Sequence, residues 1–237
     1  MPAFLAFTLH APLAAFGSVA VGERRSTWDR PGRSAVLGMV AAALGIDRID
    51  EVAHQALHSG YGLAVRTDAT GRLLADYHTA QVPPTQRGRR HPTRAHELAT
   101  PGLSTILTRR EYRTDALHTV ALWERQLAPH PLMALRAALL RPAYVLYVGR
   151  KGCPLGLPLG PMLIEADGPE AALQARASAA TVPEQELRRL LHAITGAVAM
   201  DAADADPARV LRVEQKRDAL ASRARWQFGL RAEAVLR

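Results

Sequence analysis

The stretch YGLAVRTDATGRLLADYHT, residues 61–79, decides the fold class. Residues 61–66 and 72–79 are rich in the β-branched, aromatic and aliphatic side chains that favour strands. Between them, Asp68-Ala69-Thr70-Gly71 is a turn sequence that ends on glycine. The stretch therefore predicts two antiparallel strands joined by a short turn.

Further segments on both sides of this hairpin alternate between strand and helix patterns. They are a strand at 3–9, a helix at 34–44, an extended segment at 111–122, a helix at 132–140 that stops before Pro142, and an apolar strand at 143–148. Ser34 is the predicted cap of the first helix and Gly45 its predicted end. The order β-α-β-β-α-β is that of the ferredoxin-like fold, which RNA-recognition modules also use. We therefore predict an α+β protein of this type.

The second part of the chain has a weaker pattern. Residues 169–178 and 183–192 are predicted to be helical, 197–200 are compatible with a strand, and the basic tail is expected to add one or two more. We predict a ferredoxin-like domain over residues 1–150 and a smaller C-terminal α+β region over residues 151–237.

Residues 80–107 fit no regular element. Prolines and glycines interrupt them at Pro83-Pro84, Arg87-Gly88-Arg89-Arg90, His91-Pro92 and Pro101-Gly102. A loop of this length is usually functional or disordered. Residues 81–113 also hold seven arginines against two acids. We therefore predict a long basic arm that grips nucleic acid.

The charge of the whole chain points to a polyanionic partner. Its 237 residues include 30 Lys+Arg against 22 Asp+Glu, a formal charge of +8, and only Lys151 and Lys216 are lysines. Arginine suits bidentate contacts to phosphate, although a GC-rich genome would also favour arginine over lysine without explaining the net charge. Residues 209–237 carry eight basic residues against three acids, whereas residues 164–206 carry three against eight. The polyanion is therefore expected on one side only.

Several classes of protein are excluded. The single cysteine, Cys153, rules out a disulfide framework and an all-cysteine zinc site. The longest apolar run, residues 35–46, is shorter than the ~20 residues that a membrane helix needs. The N-terminus shows no charged leader or cleavage signal. No glycine loop with phosphate-binding spacing is present. We expect a cytoplasmic protein.

The possible metal ligands have simpler interpretations. His54 and His58 have metal-compatible helical spacing but no obvious third ligand, so we interpret them as exposed residues or residues at the edge of the core. Asp201, Asp204 and Asp206 lack the glycine and the distal glutamate of a calcium loop, and a solvated turn is the better interpretation. We predict no metal and no cofactor.

The side chains that an acid–base ribonuclease requires are present, as His78, Tyr112, His118 and Lys151. No spacing rule links them, and a chain with nine histidines contains such sets by chance. We therefore predict no catalytic activity.

Several ordered motifs resemble those of a known family. The most specific is LYVGRKGCPL at 146–155, close to L-Y-L-G-R-[RK]-S-C-P-L. The others follow the family order along nearly the whole chain: FG at 16–17, PGRSAVLG at 31–38, DYHT at 76–79, RREYRTDA at 109–116 and ALW at 121–123. The chain resembles the CRISPR-associated family-five, or CasD-type, subunits of the type I-E Cascade complex, in the RAMP superfamily. It departs at Phe16, Arg113 and Gly152, where the family has Trp, Leu and Ser.

The resemblance implies RNA binding without turnover. CasD-like proteins bind the 5′ handle of the mature CRISPR RNA and cap one end of the Cascade backbone. Their ferredoxin-like core carries a long hairpin, the thumb, expected here at about 80–110. The implied partners are the CRISPR RNA, a CasC-type backbone subunit, a CasA-type large subunit and, through the complex, target DNA, with no membrane.

The predicted RNA-binding residues are ten polar or charged side chains and one tyrosine: Arg25, Arg33, Ser34, Arg87, Arg89, Arg90, Arg109, Arg110, Tyr112, Arg150 and Lys151. Arg33 and Ser34 begin a helix, where side chains and backbone N–H groups can meet a phosphate. Arg150 and Lys151 lie on a glycine-flanked turn that can approach an RNA backbone closely.

Alternatives stay open. Related family-five proteins of the type I-C system cut precursor CRISPR RNA, so an endoribonuclease is one alternative, although in type I-E that task belongs to a separate enzyme, CasE. A basic enzyme subunit that binds no nucleic acid is another. Any single arginine is more often a solvated surface residue. Phe16, Tyr112 and Trp123 can instead pack in the core, and we favour this for Trp123.

Overall fold

A large sheet organises the protein. The structure is a computed structural model, and it describes residues 1–85, 88, 90–193 and 196–236. Its strands are β1 (Ala3–Ala14), β2 (Arg24–Arg25), β3 (Tyr61–Ala69), β4 (Arg72–Val82), β5 (Ser104–Glu124), β6 (Met162–Glu165), β7 (Val198–Asp201), β8 (Val210–Ser222) and β9 (Gln227–Leu236). Its helices are α1 (Arg33–Leu44), α2 (Glu51–Gly60), α3 (Arg94–Leu98), α4 (Leu132–Leu140), α5 (Pro169–Ser178) and α6 (Val182–Leu190), with a 3₁₀ turn at Pro207–Arg209.

The main path of the sheet follows the order β6-β1-β5-β3-β7-β9-β8. Neighbours along this path are antiparallel, which confirms the predicted mixture of α and β elements around an antiparallel sheet. Strands β2 and β4 pair with the first half of β5, off the main path. Because β7 and β9 continue the sheet that the N-terminal strands begin, both predicted regions contribute to one sheet. The boundary at residue 150 stays a prediction.

Helices cover both faces of this sheet. Along β1, Leu5, Phe7 and Leu9 point into the larger core, which also contains apolar residues of α1 and α4. The intervening Ala6 points to the other face, where Leu173 of α5 is fully buried. Burial of each large apolar side chain stabilises the fold by about 1.5–3 kcal/mol. The two cores therefore pack against opposite faces of the middle of the sheet.

Helix α1 begins one residue earlier than predicted. Gly32 is the N-cap residue and supplies no side-chain cap, so the assignment of Ser34 as the cap is wrong. The Asp218 carboxylate of β8 instead accepts a 2.7 Å hydrogen bond from the Arg33 backbone N–H. The end at Gly45 is confirmed, since this residue adopts the left-handed conformation with φ 77° that glycine tolerates best.

The two predicted strands are confirmed and are longer than predicted, but the hairpin between them is wrong. Strands β3 and β4 do not pair with each other; they follow one another along β5, where β3 pairs with residues 117–124 and β4 with residues 104–114. The predicted strand at 143–148 is wrong, because this segment contains only a single bridge between Tyr147 and Pro154. Its backbone has other partners: the N–H groups of Ala143 and Tyr144 donate to carbonyls at the end of α1. Strand β6 instead pairs with the edge of β1.

The interpretation of residues 80–107 as irregular is wrong in part. Strand β4 continues to Val82, β5 already begins at Ser104, and the short helix α3 lies between them. The prolines fall outside these elements and so interrupt none of their hydrogen bonds. Thr93 caps α3 by accepting a hydrogen bond from the His96 backbone N–H.

The C-terminal elements agree with the weaker part of the sequence pattern. Helix α5 has the predicted bounds, α6 is displaced by a residue or two, and the tail forms β8 and β9. The sequence pattern did not predict α2 as an element. Among the residues that the structure describes, no helix combines the length and apolar character that crossing a membrane requires.

Candidate nucleic-acid interface

A two-stranded hairpin projects from the sheet and carries most of the predicted RNA-binding residues. It consists of β4 and residues 104–114 of β5, and we call it the projecting hairpin. Its side chains are exposed or half-buried, whereas residues 116–122 of the same strand β5 are buried in the cores. Strand β5 thus anchors the hairpin at one end and presents it to solvent at the other.

One face of the projecting hairpin gathers cations around a tyrosine. Arg110 and Tyr112 point to the same face because side chains two residues apart along a strand share a face. Strand β2 brings Arg25 into register with Arg110. The Arg150 guanidinium carbon lies 4.5 Å from the centre of the Tyr112 ring, at cation–π distance. We call Arg25, Arg110, Tyr112, Arg150 and the adjacent exposed Lys151 the basal patch.

Hydrogen bonds fix the position of Arg150 within the basal patch. Its Nη1 donates to the Glu111 carbonyl at 3.0 Å, and its Nη2 donates to the Arg25 carbonyl at 3.2 Å. A single guanidinium therefore joins β5, β2 and the turn after residue 148. This turn is tight, because a Cβ at Gly149, where φ is 87°, would overlap the Ala15 carbonyl oxygen.

Tyr112 also contacts His78 of β4, which in turn pairs with Asp76. Its hydroxyl lies 3.4 Å from His78 Nε2, and the same nitrogen lies 3.0 Å from the Asp76 carboxylate. The register of the hairpin explains the contact, since His78 pairs with Thr108 and Leu74 pairs with Tyr112 on this face. The structure thus joins two of the four residues that an acid–base ribonuclease would need.

The opposite face of the hairpin holds a second arginine and a tyrosine. Arg109 lies directly across from Tyr77 in the register, and its guanidinium carbon is 6.0 Å from the Tyr77 ring centre. Tyr77 is 70% exposed. Arg24 pairs with Glu111 at 3.5 Å near the same face. Arg109 is therefore separated from the basal patch by the thickness of the hairpin.

Arg33 lies apart from these residues and is buried. Its guanidinium donates to the Asp201 carboxylate at 3.0 Å and to the carbonyls of His58 and Tyr61. Burial lowers the pKa of Arg33, and the Asp201 charge opposes this shift. With its N–H group bonded to Asp218, Arg33 has its polar groups engaged within the chain, and we do not carry it into the proposed RNA surface. Ser34 is half-buried in the first turn of α1.

Of the three arm arginines predicted to bind RNA, Arg90 lies among the described residues. Arg90 is exposed beyond the end of β4. Arg87 and Arg89 lie outside the described residues, so their role stays a prediction.

The histidines and the aspartate that were considered as metal ligands make other contacts within the fold. His54 is buried, and burial together with the nearby Arg33 charge lowers the pKa of His58 to about 3. Asp201 is not a solvated turn residue, because it pairs with Arg33, Arg125 and Arg231. Within the described part of the chain, no group of acidic, histidine or cysteine side chains has the arrangement of a metal site.

Trp123 and Phe16 pack inside the protein, whereas Tyr77 is exposed. Core packing is confirmed for Trp123, whose ring meets Phe4 edge-on at 5.9 Å and fills the space above Gly62. Phe16 is buried and contacts His118 edge-on at 5.1 Å. Tyr77 is an exposed aromatic residue of the projecting hairpin that sequence reasoning did not single out. Strand alternation across the 72–82 and 104–114 pair was the signal that could have placed it opposite Arg109.

Comparison with known proteins identifies the class. The family model described as "CRISPR-associated protein (Cas_Cas5)" matches residues 4–232. The chain therefore belongs to this family of CRISPR-associated proteins.

Particular relatives agree with this assignment. The chain is 38% identical over 189 residues to the CRISPR system Cascade subunit CasD of Escherichia coli (strain K12), which covers 73% of this chain and 76% of the relative. A chain of a "CRISPR RNA-guided surveillance complex" matches with a TM-score of 0.63 and 25% identity over 98% of this chain and 89% of that one. A "Crystal structure of Cas protein" matches with a TM-score of 0.57 and 24% identity over 98% and 94% of the two chains, and supports the fold.

Proposed function

We propose that this chain is a non-catalytic subunit of a type I-E Cascade complex that binds and caps the 5′ handle of the mature CRISPR RNA. Bound in this way, the guide directs the complex to target DNA. The observation that carries the proposal is the basal patch, where Arg150 lies over Tyr112 and Arg25 is in register with Arg110 on the neighbouring strand.

The chemistry of the basal patch fits a single RNA strand. Proteins hold single strands with cations along the phosphates and with aromatic or guanidinium planes against the bases. Arg110 and Lys151 carry charges that form no ion pair within the described residues. Two hydrogen bonds already hold Arg150 in place at Tyr112, so little side-chain entropy is lost when RNA contacts it.

The proposal includes a ferredoxin-like core with a thumb. The strand order β6-β1-β5-β3, with α1 and α4 packed in the same core, supports this core topology. The projecting hairpin has the place and the exposure expected of the thumb, which would cross the guide near the junction of handle and spacer. On this account the partners are the CRISPR RNA, the CasC-type backbone and the CasA-type large subunit.

The contact between His78 and Tyr112 favours one second candidate function, cleavage of precursor CRISPR RNA. We expect purified protein incubated with repeat RNA, without added metal, to leave the RNA intact on a denaturing gel. A non-catalytic subunit binds the strand but does not position a base and an acid around a scissile phosphate.

The variants His78→Ala and Tyr112→Phe provide the control for this experiment. If the wild-type protein cuts the RNA and either variant loses that activity, the chain is an endoribonuclease and the proposed function is wrong. Cleavage that persists in both variants would indicate a contaminating nuclease and leave the prediction intact.

A further inference from the structure

The turn between β8 and β9 carries a second cluster of arginines around an aromatic residue. Arg223, Arg225 and Trp226 lie in this turn, and Arg48 comes from the loop that precedes α2. We call these four residues the turn cluster. It shares no residue with the basal patch.

The turn is held firmly against α2. The Glu51 carboxylate in the first turn of α2 accepts hydrogen bonds from the Ser222 hydroxyl at 2.5 Å and from the backbone N–H groups of Arg223 and Ala224 at 2.9 Å. These bonds lower the pKa of Glu51. The turn cluster is therefore presented on a fixed backbone.

Trp226 combines a left-handed backbone with an exposed side chain. Its φ of 58° lies in the left-handed region, which is costly for a residue with a Cβ and free for glycine. Nevertheless, Trp226 is 56% exposed. A large aromatic side chain held in a strained conformation and left in solvent suggests a functional contact.

Two guanidinium groups surround the indole. The Arg223 guanidinium carbon lies 4.3 Å and that of Arg48 lies 4.9 Å from the Trp226 ring centre, and Phe228 meets the indole edge-on at 5.8 Å. Arg223 lies along Gly38 of α1, where a Cβ would be 3.1 Å from its Nη2. Arginine planes and an indole at these distances form a platform on which a base can stack.

The acids of the tail do not neutralise this cluster. Within the described residues, Glu214, Asp218 and Glu233 pair with Arg30, Arg212, Lys216 and Arg231. The Arg223 Nε atom is buried without a hydrogen-bond partner, and burial together with the Arg48 charge lowers the pKa of Arg223. The turn cluster therefore retains hydrogen-bond donors that no carboxylate of the described chain occupies.

The nearby acids limit the range of the electrostatic attraction. Asp47 and Asp50 flank Arg48 and accept hydrogen bonds from the backbone N–H groups of Ile49 and Ala53. With Glu51, they balance the cluster's three arginines in number. A ligand must therefore be recognised by short-range contacts, a stacked base and about one phosphate, and not by long-range attraction.

We propose that the turn cluster binds a single-stranded nucleic-acid segment by stacking one base on Trp226 and its flanking guanidinium planes and by bonding one phosphate through Arg223 and Arg225. Neither the stacked base nor the phosphate contact involves the 2′-hydroxyl, so the site is expected to accept RNA and DNA alike. This function goes beyond handle binding at the basal patch.

The variant Trp226→Gly tests the proposal, because glycine relieves the backbone strain while removing the stacking surface. With full-length protein, oligo(dT) and oligo(rU) are expected to quench tryptophan fluorescence. We expect Trp226→Gly to bind both oligonucleotides about tenfold more weakly by anisotropy titration, with an unchanged or higher melting temperature.

The double variant Arg48→Ala/Arg223→Ala is expected to lose affinity for both oligonucleotides by a similar factor. Arg189→Ala, which removes an exposed arginine from α6 on the opposite face of the sheet, is the matched control.

Three results would overturn the proposal. Unchanged affinity of Trp226→Gly for both oligonucleotides would assign Trp226 to packing, or to a protein partner if the variant also fails to join the complex. An equal loss of affinity in Arg189→Ala would show that the effect comes from net charge alone. A loss for oligo(rU) alone would contradict recognition that ignores the sugar. The basal patch is intact in all these variants, so handle binding can be measured separately.

Discussion

Replacing Arg110 and Lys151 together with alanine is expected to weaken binding of 5′-handle RNA by about 100-fold near physiological salt. Hydrogen bonds to charged groups contribute about 1.5–3 kcal/mol each, so the loss of two phosphate contacts removes roughly 3 kcal/mol of binding free energy. Neither side chain forms an ion pair in the described chain, and Arg110 has only a 3.4 Å bond to the Thr108 hydroxyl. The substitutions should therefore change binding without unfolding the hairpin.

The salt dependence identifies the cause of this loss. Each phosphate contact to a single strand contributes about 0.7 to the slope of log K against log salt, so the double variant should lower the slope by about 1.4. Titrations of labelled handle RNA at several salt concentrations measure both quantities. Arg189→Ala should bind like the wild type, and an equally weak Arg189→Ala would show that overall charge is the cause.

Glu233→Gln is expected to lower the free energy of unfolding by about 3–5 kcal/mol. The Glu233 carboxylate is the common acceptor of Arg30 at 2.6 Å, Arg231 at 2.8 Å and Lys216 at 3.3 Å. Arg30 and Lys216 are buried, and removal of the shared acid leaves the Lys216 charge without an ion pair in the described residues, while Arg30 keeps only Asp29 and Glu214. The glutamine keeps the shape of the side chain, so the loss reports charge and not a cavity.

Urea unfolding followed by circular dichroism measures this effect. Glu170→Gln is the matched control, because Glu170 pairs with Arg209 near the surface, where such a pair contributes about 1 kcal/mol or less. A loss of less than about 1 kcal/mol in Glu233→Gln would contradict the assigned role of the network.

The helix ends that the sequence predicted best are those that a residue at the end itself determines. Gly45 ends α1 through its own left-handed conformation, and Pro142 lies just beyond α4. Segment 143–148 was predicted wrongly because its apolar alternation is that of a strand, while its hydrogen bonds go to the end of α1. That choice depends on residues a hundred positions away, which no local pattern contains.

The same limit applies to the candidate site. Residue type selects arginines as candidates, but Arg33 and Arg110 look alike in sequence. They differ because Asp201, far along the chain, pairs with the Arg33 guanidinium, and Asp218 accepts a hydrogen bond from the Arg33 backbone N–H. Within the described residues Arg110 forms no such ion pair. The clustering of Arg150 with Tyr112 also depends on a turn whose position the sequence did not determine.

Cross-linking tests the central claim most directly. Handle RNA substituted with thiouridine is bound to the wild-type protein, irradiated and digested, and the attached peptides are identified by mass spectrometry. The account predicts cross-links on the segment that contains Tyr112 and on the turn that contains Arg150 and Lys151. Cross-links confined to α6 or to the β8–β9 turn, with none on these two segments, would contradict it.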